Sequence, residues 1–417
     1  MKEEEPIEAE QIDKKKQSFL TRIIAVANSG GNQFYFNYGS LLAVGIGASA
    51  IQMSFITAIQ NLGSALLQGF FGLLSDKLGR RIVLITGFII ASITTLILSR
   101  MVNPIIFMII IALYSIGMSM IIPAWNALLG DMSTEKTQTR FIGQIGMIGT
   151  IFSSMILLLL GFLIDFLNID LLQKYRTMIL IGAFFFAFAS ILILFIKETN
   201  TKKEKGEKIS ISVFIKDTLF PLKNKKFVAL SVSTMIWFFS MSFLWPLNPF
   251  VVNSVTPTTI QIAIFSAVFA GFMALGQWLS GRVGDKIGRY LIIFLGLVSF
   301  CLVPFTLSYA VEWYIIAIAN IFGGLGNGIT MVAISSEILH ISGEKMRATF
   351  TGTYNVIMGI AMFAGSFISG AILDRLLVNY DFSIIMKFYL PILAAARLLA
   401  AIPTLFLTVK KKETISI

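Results

Sequence analysis

Long apolar stretches separated by short charged connections run along almost the whole chain. A hydrocarbon core about 30 Å thick is crossed by about 20 apolar residues in a helix, and stretches of that length predict twelve spans. They cover residues 19–43, 49–75, 80–100, 104–131, 138–165, 175–197, 226–253, 257–284, 289–311, 313–339, 346–373 and 383–409. The pattern favours an all-α membrane protein.

Composition supports a bilayer as the solvent. Of the 417 residues, 56% are hydrophobic and only 13% are charged, and the mean hydropathy is +0.83. Soluble domains carry about 25% charged residues, so this chain has too much apolar surface to bury in water. We therefore expect membrane lipids to be its surroundings.

The few chemically reactive side chains exclude several classes of protein. Cys301 is the single cysteine and His340 the single histidine, which excludes a disulfide framework and a metal site rich in either residue. The sequence also has no phosphate-binding G-x-x-x-x-G-K-[ST] loop. We expect no catalytic residues, no metal and no cofactor. An intramembrane enzyme is disfavoured because it needs clustered acids, bases or metal ligands within the membrane.

The distribution of lysine and arginine predicts the orientation. With a cytosolic N-terminus, 27 of the 33 basic residues lie in cytosolic tails and connections and five lie outside, while Arg397 falls within a span. Cytosolic loops of membrane proteins carry this excess. The pattern predicts a multi-pass protein of the cell membrane with both termini in the cytosol. The net charge of +11 then reflects topology, and no nucleic-acid partner is expected.

The polar segments divide the chain into five parts. Residues 1–18 form a cytosolic tail, residues 19–197 a first six-helix bundle, and residues 226–409 a second bundle. Between the bundles, residues 198–225 form a charged linker that becomes mildly amphipathic, which is typical of a short helix in the membrane interface or of a disordered tether. Residues 410–417 form a cytosolic C-terminal tail.

An internal repeat links the two halves. Residues 72–81, GLLSDKLGRR, follow the second span, and residues 281–290, GRVGDKIGRY, follow the eighth at an offset of 209. The same offset relates residues 161–165, GFLID, to residues 370–374, GAILD. An even number of spans returns the chain to its starting side, so a six-span unit is repeated in parallel orientation. Such repeats place a substrate site near the bilayer midplane.

The duplicated turn, the twelve spans and the central connection resemble the major facilitator superfamily over the whole chain apart from its tails. The resemblance implies two pseudo-symmetric six-helix bundles that rock about a central site, a small-molecule substrate and a monomer. The second copy of the motif departs from the pattern, because Tyr290 stands where the first copy has Arg81.

The motif residues predict a gate on the cytosolic face. Glycines suit close packing and a tight turn, and Asp76 suits the N-terminus of the eleventh helix. Charges around the 4–5 and 10–11 connections complete a network, or else they only set topology. The predicted gate comprises Gly72, Asp76, Gly79, Arg80, Arg81, Asp131, Arg140, Asp285, Arg289, Glu337 and Arg347.

Side chains suited to a ligand lie mainly on the first and seventh spans, with one further candidate each on the tenth and the eleventh. The resemblance implies that the first, fourth, seventh and tenth spans line the central pathway. Polar groups in a membrane face protein or water, although asparagines also bond between helices and aromatic stripes often only pack. The predicted substrate-binding residues are Asn28, Asn32, Tyr35, Trp237, Met241, Asn327 and Asn355.

Missing charges restrict the substrate and the coupling. The acidic residues fall in tails, connections or span ends, so any ion coupling uses a peripheral group such as Asp165, Glu337 or Asp374. No arginine or lysine suits a central anion site. The resemblance implies that the twelfth span, which carries Arg397, is peripheral, so pairing within the protein or snorkelling is expected for this side chain. The substrate is expected to be neutral, zwitterionic or a lipophilic cation bound by aromatic faces.

These patterns favour a secondary transporter that exports amphipathic, drug-like compounds. One alternative is uptake or facilitated diffusion of a neutral polar solute such as a sugar, which the amide-rich first span favours. Another is a receptor that binds its ligand without moving it, which the intact gate motif disfavours.

Overall fold

Helices account for nearly all of the described chain. The computed structural model describes residues 5–132, 138–197, 220–342 and 346–409, and no strand occurs among them. The helices of the first half are Glu5–Gly45, Ala50–Ala58, Ile59–Gly63, Ser64–Leu78, Arg80–Leu98, Pro104–Asp131, Gln138–Asp165 and Leu171–Ile193. Those of the second half are Phe220–Lys223, Lys225–Ser242, Asn248–Ser254, Thr259–Ile287, Arg289–Leu307, Trp313–Ser342, Arg347–Asn379, Phe382–Ala401 and Pro403–Val409.

The twelve predicted spans each correspond to helix, which confirms the fold class. Ten helical segments of the described residues are long and apolar enough to cross a membrane. The other two spans are the first, which carries the amide-rich stretch, and the seventh, which is broken between Ser242 and Asn248.

The first helix begins well before the apolar stretch. It starts at Glu5, whereas the sequence predicted a tail up to residue 18. Glutamate, glutamine and lysine are good helix formers, and acidic residues near a helix N-terminus interact favourably with the backbone dipole. The polar segment therefore extends the first span as helix.

The described chain divides into two compact units. The first contains residues 1–42, 66–102 and 109–207, and the second contains residues 43–65, 103–108 and 208–417. The segment 43–65 therefore packs with the second unit although it belongs to the first half of the sequence. A π-helical turn, Ile59–Gly63, lies just before the point where the second span passes from one unit to the other. Such turns interrupt regular helices and are frequent at functional sites.

Close helix contacts hold the first unit together. The first span approaches the sixth so closely that a Cβ added to Gly31 would lie 2.7 Å from the ring of Phe186, and one added to Gly182 would lie 2.9 Å from Phe34. On another side of the same span, a Cβ at Gly149 would lie 2.9 Å from the carbonyl of Ala25. Small residues permit this packing between membrane helices.

The core of the second unit is aromatic and aliphatic. It centres on Trp237 and Phe227 of the seventh span, with Leu297 of the ninth and Phe350 of the eleventh. The seventh span begins at Lys225, where the side chain of Asn224 caps the helix by accepting the N–H groups of residues 226 and 227. The predicted interfacial helix within 198–225 lies outside the described residues up to position 219.

Candidate functional site

The two motif turns share one backbone geometry. Gly79 ends the second span with φ +98°, and Gly288 ends the eighth with φ +97°. Only glycine adopts this region without strain, and the next helix starts immediately at Arg80 or Arg289. The repeat found in the sequence is therefore a repeat of conformation.

A buried arginine follows the first turn. Arg80 pairs with Asp131 of the fourth span at 3.4 Å (Nε to Oδ2) and donates to the hydroxyl of Ser75 at 3.2 Å. Arg81 donates to the carbonyl of Leu194 at the end of the sixth span. The third span is thus joined to the second, fourth and sixth at the end of the first unit that carries the motif.

The second unit repeats this pair with one substitution. Arg289 lies 3.3 Å from Glu337 of the tenth span (Nη1 to Oε2), and the Tyr290 hydroxyl donates to the other carboxylate oxygen at 2.7 Å. Tyr290 departs from the motif in sequence, yet its hydroxyl binds the acidic partner of the repeat. Glu337 is the more buried acid, with a side chain 7% exposed against 32% for Asp131.

Of the remaining gate residues, the structure describes the surroundings of Gly72 but not the side chains of the others. Gly72 is not at a close approach, because an added Cβ would lie 3.7 Å from Pro123, an ordinary contact. The residues whose side chains lie outside the described part of the structure are Asp76, Arg140, Asp285 and Arg347.

Three of the predicted ligand-binding residues lie together in the first unit. The Asn32 amide donates to the carbonyl and side-chain oxygens of Asn28 at 3.0 and 3.1 Å, and its own oxygen accepts from Tyr114 of the fourth span at 3.2 Å. The Tyr35 and Tyr114 rings lie 4.1 Å apart. We call Asn28, Asn32, Tyr35 and Tyr114 the amide–tyrosine cluster; the amides are half-buried and the rings buried.

Gln33, the neighbour of Asn32, has a different role. Its amide donates to Ser153 of the fifth span at 2.7 Å, and its oxygen accepts from Ser154 at 3.2 Å. These bonds join helices, so the polarity of the first span serves both packing and the cluster.

The predicted residues of the second unit are more dispersed. Trp237 has no exposed surface, its ring lies 5.1 Å from that of Phe300, and Met241 is buried one turn later. Both residues belong to the core of this unit in the state described. Asn327 is half-buried on the tenth span, and Asn355 is exposed on the eleventh.

Prolines break the seventh span. Pro246 has no N–H to donate to the carbonyl of Ser242, and Pro249 follows at the start of the next helix. The backbone N–H groups within the break bond to the carbonyl three positions earlier, as Trp245 N–H does to Ser242 at 3.2 Å, and the regular four-residue pattern returns where Asn248 N–H bonds to the carbonyl of Leu244 at 2.9 Å. The sequence predicted one continuous span here, which is wrong at this point.

Side chains of two other spans bind the carbonyls at the break. Ser366 and Ser369 of the eleventh span donate to the carbonyls of Ser242 and Phe243 at 3.3 and 2.6 Å. Arg397 of the twelfth span donates to the carbonyl of Met241 at 2.6 Å. The expectation that Arg397 is paired within the protein agrees with this geometry.

A carboxylate near the C-terminal end of the eleventh span caps the N-terminus of the second span. Asp374 accepts from the Ser49 hydroxyl at 3.3 Å and from the backbone N–H of Ile51 at 3.1 Å. Ser49 and Gln52 also form a reciprocal capping box. The S-x-x-Q pattern before an apolar run was a signal for this helix start, whereas nothing local indicated Asp374 as a partner.

A family model described as "Major Facilitator Superfamily" matches residues 22–243 and 230–415. The chain belongs to the major facilitator superfamily. It is therefore a multi-pass membrane protein from a superfamily of secondary transporters. Members of the superfamily bind small-molecule substrates within the membrane and are typically monomeric, and in general they are not enzymes.

Two curated relatives are drug-resistance proteins. The quinolone resistance protein NorA of Staphylococcus aureus (strain Mu50) is 23% identical over 147 residues, which cover 35% of this chain and only 38% of NorA. The multidrug resistance protein MdtG of Escherichia fergusonii is 24% identical over 346 residues, 81% of each chain.

Solved structures show the same fold. A single-residue mutant of the nucleoside transporter NupG covers 94% of this chain and 99% of its own, with a TM-score of 0.80 and 14% identity. A bacterial homologue of the human lysosomal transporter Spinster, solved inward-facing and unoccupied, has a TM-score of 0.62, 15% identity and 95% coverage of both chains. At such identities the likeness concerns the fold alone.

Proposed function

We propose that this superfamily member exports neutral or cationic amphipathic compounds from the cell by alternating access. The amide–tyrosine cluster carries this proposal, because it combines two aromatic rings with a few uncharged hydrogen-bonding groups. Sites of this kind hold ligands with an apolar body and a few polar groups, and aromatic faces attract organic cations. The names of NorA and MdtG support a drug-like substrate.

Charges within the spans support the same substrate class. Arg397 is the basic residue that falls within a span, and it is 1% exposed with two of its nitrogens bonded to backbone carbonyls. It therefore offers those donors to the protein and not to an anion. A substrate without negative charge fits the spans best.

The basic residues favour a definite orientation for this exporter. We place both termini and both motif turns in the cytosol of a cell whose plasma membrane holds the protein, since 27 basic residues then lie on that side. The pairs Arg80–Asp131 and Arg289–Glu337 are then elements of a cytosolic gate, together with Asp76.

The second candidate is uptake of a neutral polar solute. It is favoured by the two amides of the cluster, Asn28 and Asn32, which suit hydroxyl-rich ligands. The two candidates differ in direction and in the class of compound that is moved.

Respiring inside-out membrane vesicles distinguish the candidates. Export predicts that vesicles with the protein accumulate ethidium, that Asn32→Ala lowers the initial rate at least fivefold, and that Phe36→Ala does not. Phe36 lies on the same helix with its side chain 76% exposed, so it is a matched control for altering this span. Immunoblots of the vesicles check that the variants are equally abundant.

Other results would overturn the proposal. Uptake of uridine or glucose into intact cells, lost in Asn32→Ala without ethidium accumulation in vesicles, would favour the second candidate. Saturable binding of ethidium without accumulation would favour a receptor.

A further inference from the structure

Two prolines leave two backbone carbonyls without their helical partners. Pro304 lies within the ninth span, four residues after Phe300, and Pro246 lies four residues after Ser242. Proline has no N–H, so neither carbonyl receives the usual hydrogen bond from the residue four positions later. In the bilayer no water replaces that bond, and an unsatisfied carbonyl is costly.

Arg397 supplies a donor to one of these carbonyls and to the end of the broken helix. Its Nη1 donates to Phe300 at 3.1 Å, and its Nη2 donates to Met241 at 2.6 Å. The planar guanidinium presents donors in a fixed fork, so one side chain of the twelfth span connects the backbones of the seventh and ninth. Its charge is also favourably placed at the C-terminal end of Lys225–Ser242.

An aromatic contact lies beside the connection made by Arg397. Trp237 lies one turn before Met241, and its ring is 5.1 Å from that of Phe300. The two backbone groups that Arg397 binds therefore belong to Met241 and to the ring partner of Trp237. Ser366 and Ser369 hold the following carbonyls from the eleventh span, so the break has donors on two sides.

We propose that Arg397 is a positioning residue for transport. It holds the broken end of the seventh span against the ninth and so sets the placement of Trp237 and Met241. The link to transport rests on family membership, while the effect on ethidium rests on the proposed function. Arg397 acts through the backbone it binds and does not touch substrate.

Cys301 is a built-in reporter of this contact. It is the single cysteine of the chain, it follows Phe300 directly, and it is 6% exposed. Opening the contact between the seventh, ninth and twelfth spans should expose its thiol. The rate of alkylation of the purified protein by N-ethylmaleimide therefore measures the contact without any substrate, and Cys301→Ala gives the background.

Three variants of Arg397 and Pro304 make the test specific. Arg397→Met keeps an unbranched side chain without donors and should raise the alkylation rate at least tenfold and the KM for ethidium several-fold. Arg397→Lys keeps the charge without the fork and should give an intermediate rate. In Arg397→Met/Pro304→Ala the new N–H at position 304 can bind the Phe300 carbonyl, so alkylation should return at least halfway to the wild-type rate.

A substitution elsewhere on the twelfth span is the control for the alkylation test. Ile392→Ala changes a 67% exposed side chain of the same helix and should leave alkylation unchanged. Arg397→Met with a wild-type rate, or Ile392→Ala with an equal rise, overturns the proposal. If Arg397→Met aggregates on size-exclusion chromatography, the test uses Arg397→Lys alone. A wild-type alkylation rate in Arg397→Lys then overturns the proposal. Absence of ethidium transport by the wild type would refute only the export proposal.

Discussion

At the scale of single residues, the two glycines of the first motif copy have different physical roles. Gly79 has φ +98° and ψ 145° and stands at the junction of two helices, a conformation that side chains with a Cβ rarely adopt. Gly72 has space for a Cβ, because its nearest neighbour, Pro123, would be at 3.7 Å. The motif pattern alone predicted the same role for both glycines.

Gly79→Ala should therefore destabilise the protein, whereas Gly72→Ala should not. Placing alanine at this φ costs about 1–3 kcal/mol, which should lower the apparent unfolding temperature by several degrees. Thermal unfolding of both variants in one detergent measures the difference. Equal unfolding temperatures would show that the turn can relax without strain.

The acids of the two repeats also differ at this scale. Glu337 is the more buried and has two partners, Arg289 and Tyr290, whereas Asp131 is partly exposed beside Arg80. A buried acceptor of charged and neutral donors is more costly to alter than an exposed one.

We expect Glu337→Gln to destabilise the protein by about 1–3 kcal/mol and Asp131→Asn by about 1 kcal/mol or less. Unfolding of the two variants side by side at low salt gives the comparison. A larger loss in Asp131→Asn would contradict the burial argument. Tyr290→Phe, which removes one donor to Glu337, should lie between Glu337→Gln and the wild type.

At the scale of helices, the lengths of the apolar stretches predicted the positions of the spans well but not their interruptions. Most ends agree within a few residues because charged connections bound the apolar stretches. The break in the seventh span at residues 243–247 was missed although Pro246 and Pro249 were visible. Proline within a membrane helix is often tolerated, so its effect depends on donors from other spans, such as Ser369, which the local sequence does not identify.

The start of the second span gives a prediction at the same scale. Asp374→Asn removes the charge that caps this helix at Ser49 and Ile51 and should destabilise the protein by about 1 kcal/mol. Asp381→Asn is the matched control, because Asp381 precedes the twelfth span without a side-chain capping bond. Unfolding temperatures should fall clearly more for Asp374→Asn, and an equal fall would contradict the capping role.

At the scale of the whole molecule, the repeat was the most informative feature of the sequence. It predicted the six-span duplication, and the structure adds matching ion pairs, Arg80–Asp131 and Arg289–Glu337. Placement of a ligand-binding side chain was harder to infer. Trp237 was a candidate for binding or for packing by its position in the seventh span, and it is fully buried in the state described. One face of a membrane helix cannot be assigned to pathway or core without its neighbours.

The gate hypothesis makes a prediction for transport as a whole. Asp76→Asn should weaken transport while leaving the protein nearly as abundant, since a gating charge acts on conformational change more than on folding. Ethidium accumulation in inside-out vesicles, normalised to immunoblots, provides the measurement. If Asp76→Asn transports ethidium at the wild-type rate and is equally abundant, this carboxylate only sets the membrane topology.

The segment 43–65 has a consequence for the synthesis of the chain. Ile51 is bonded to Asp374 across 323 positions of sequence, so the N-terminal part of the second span is made long before the helix that packs against it. At about 5–20 residues per second, the interval is roughly 15–65 s. During that time the segment from Ser49 to Gly63 must contact lipid or a chaperone in place of the eleventh span. The second unit is completed only after the eleventh span has been made.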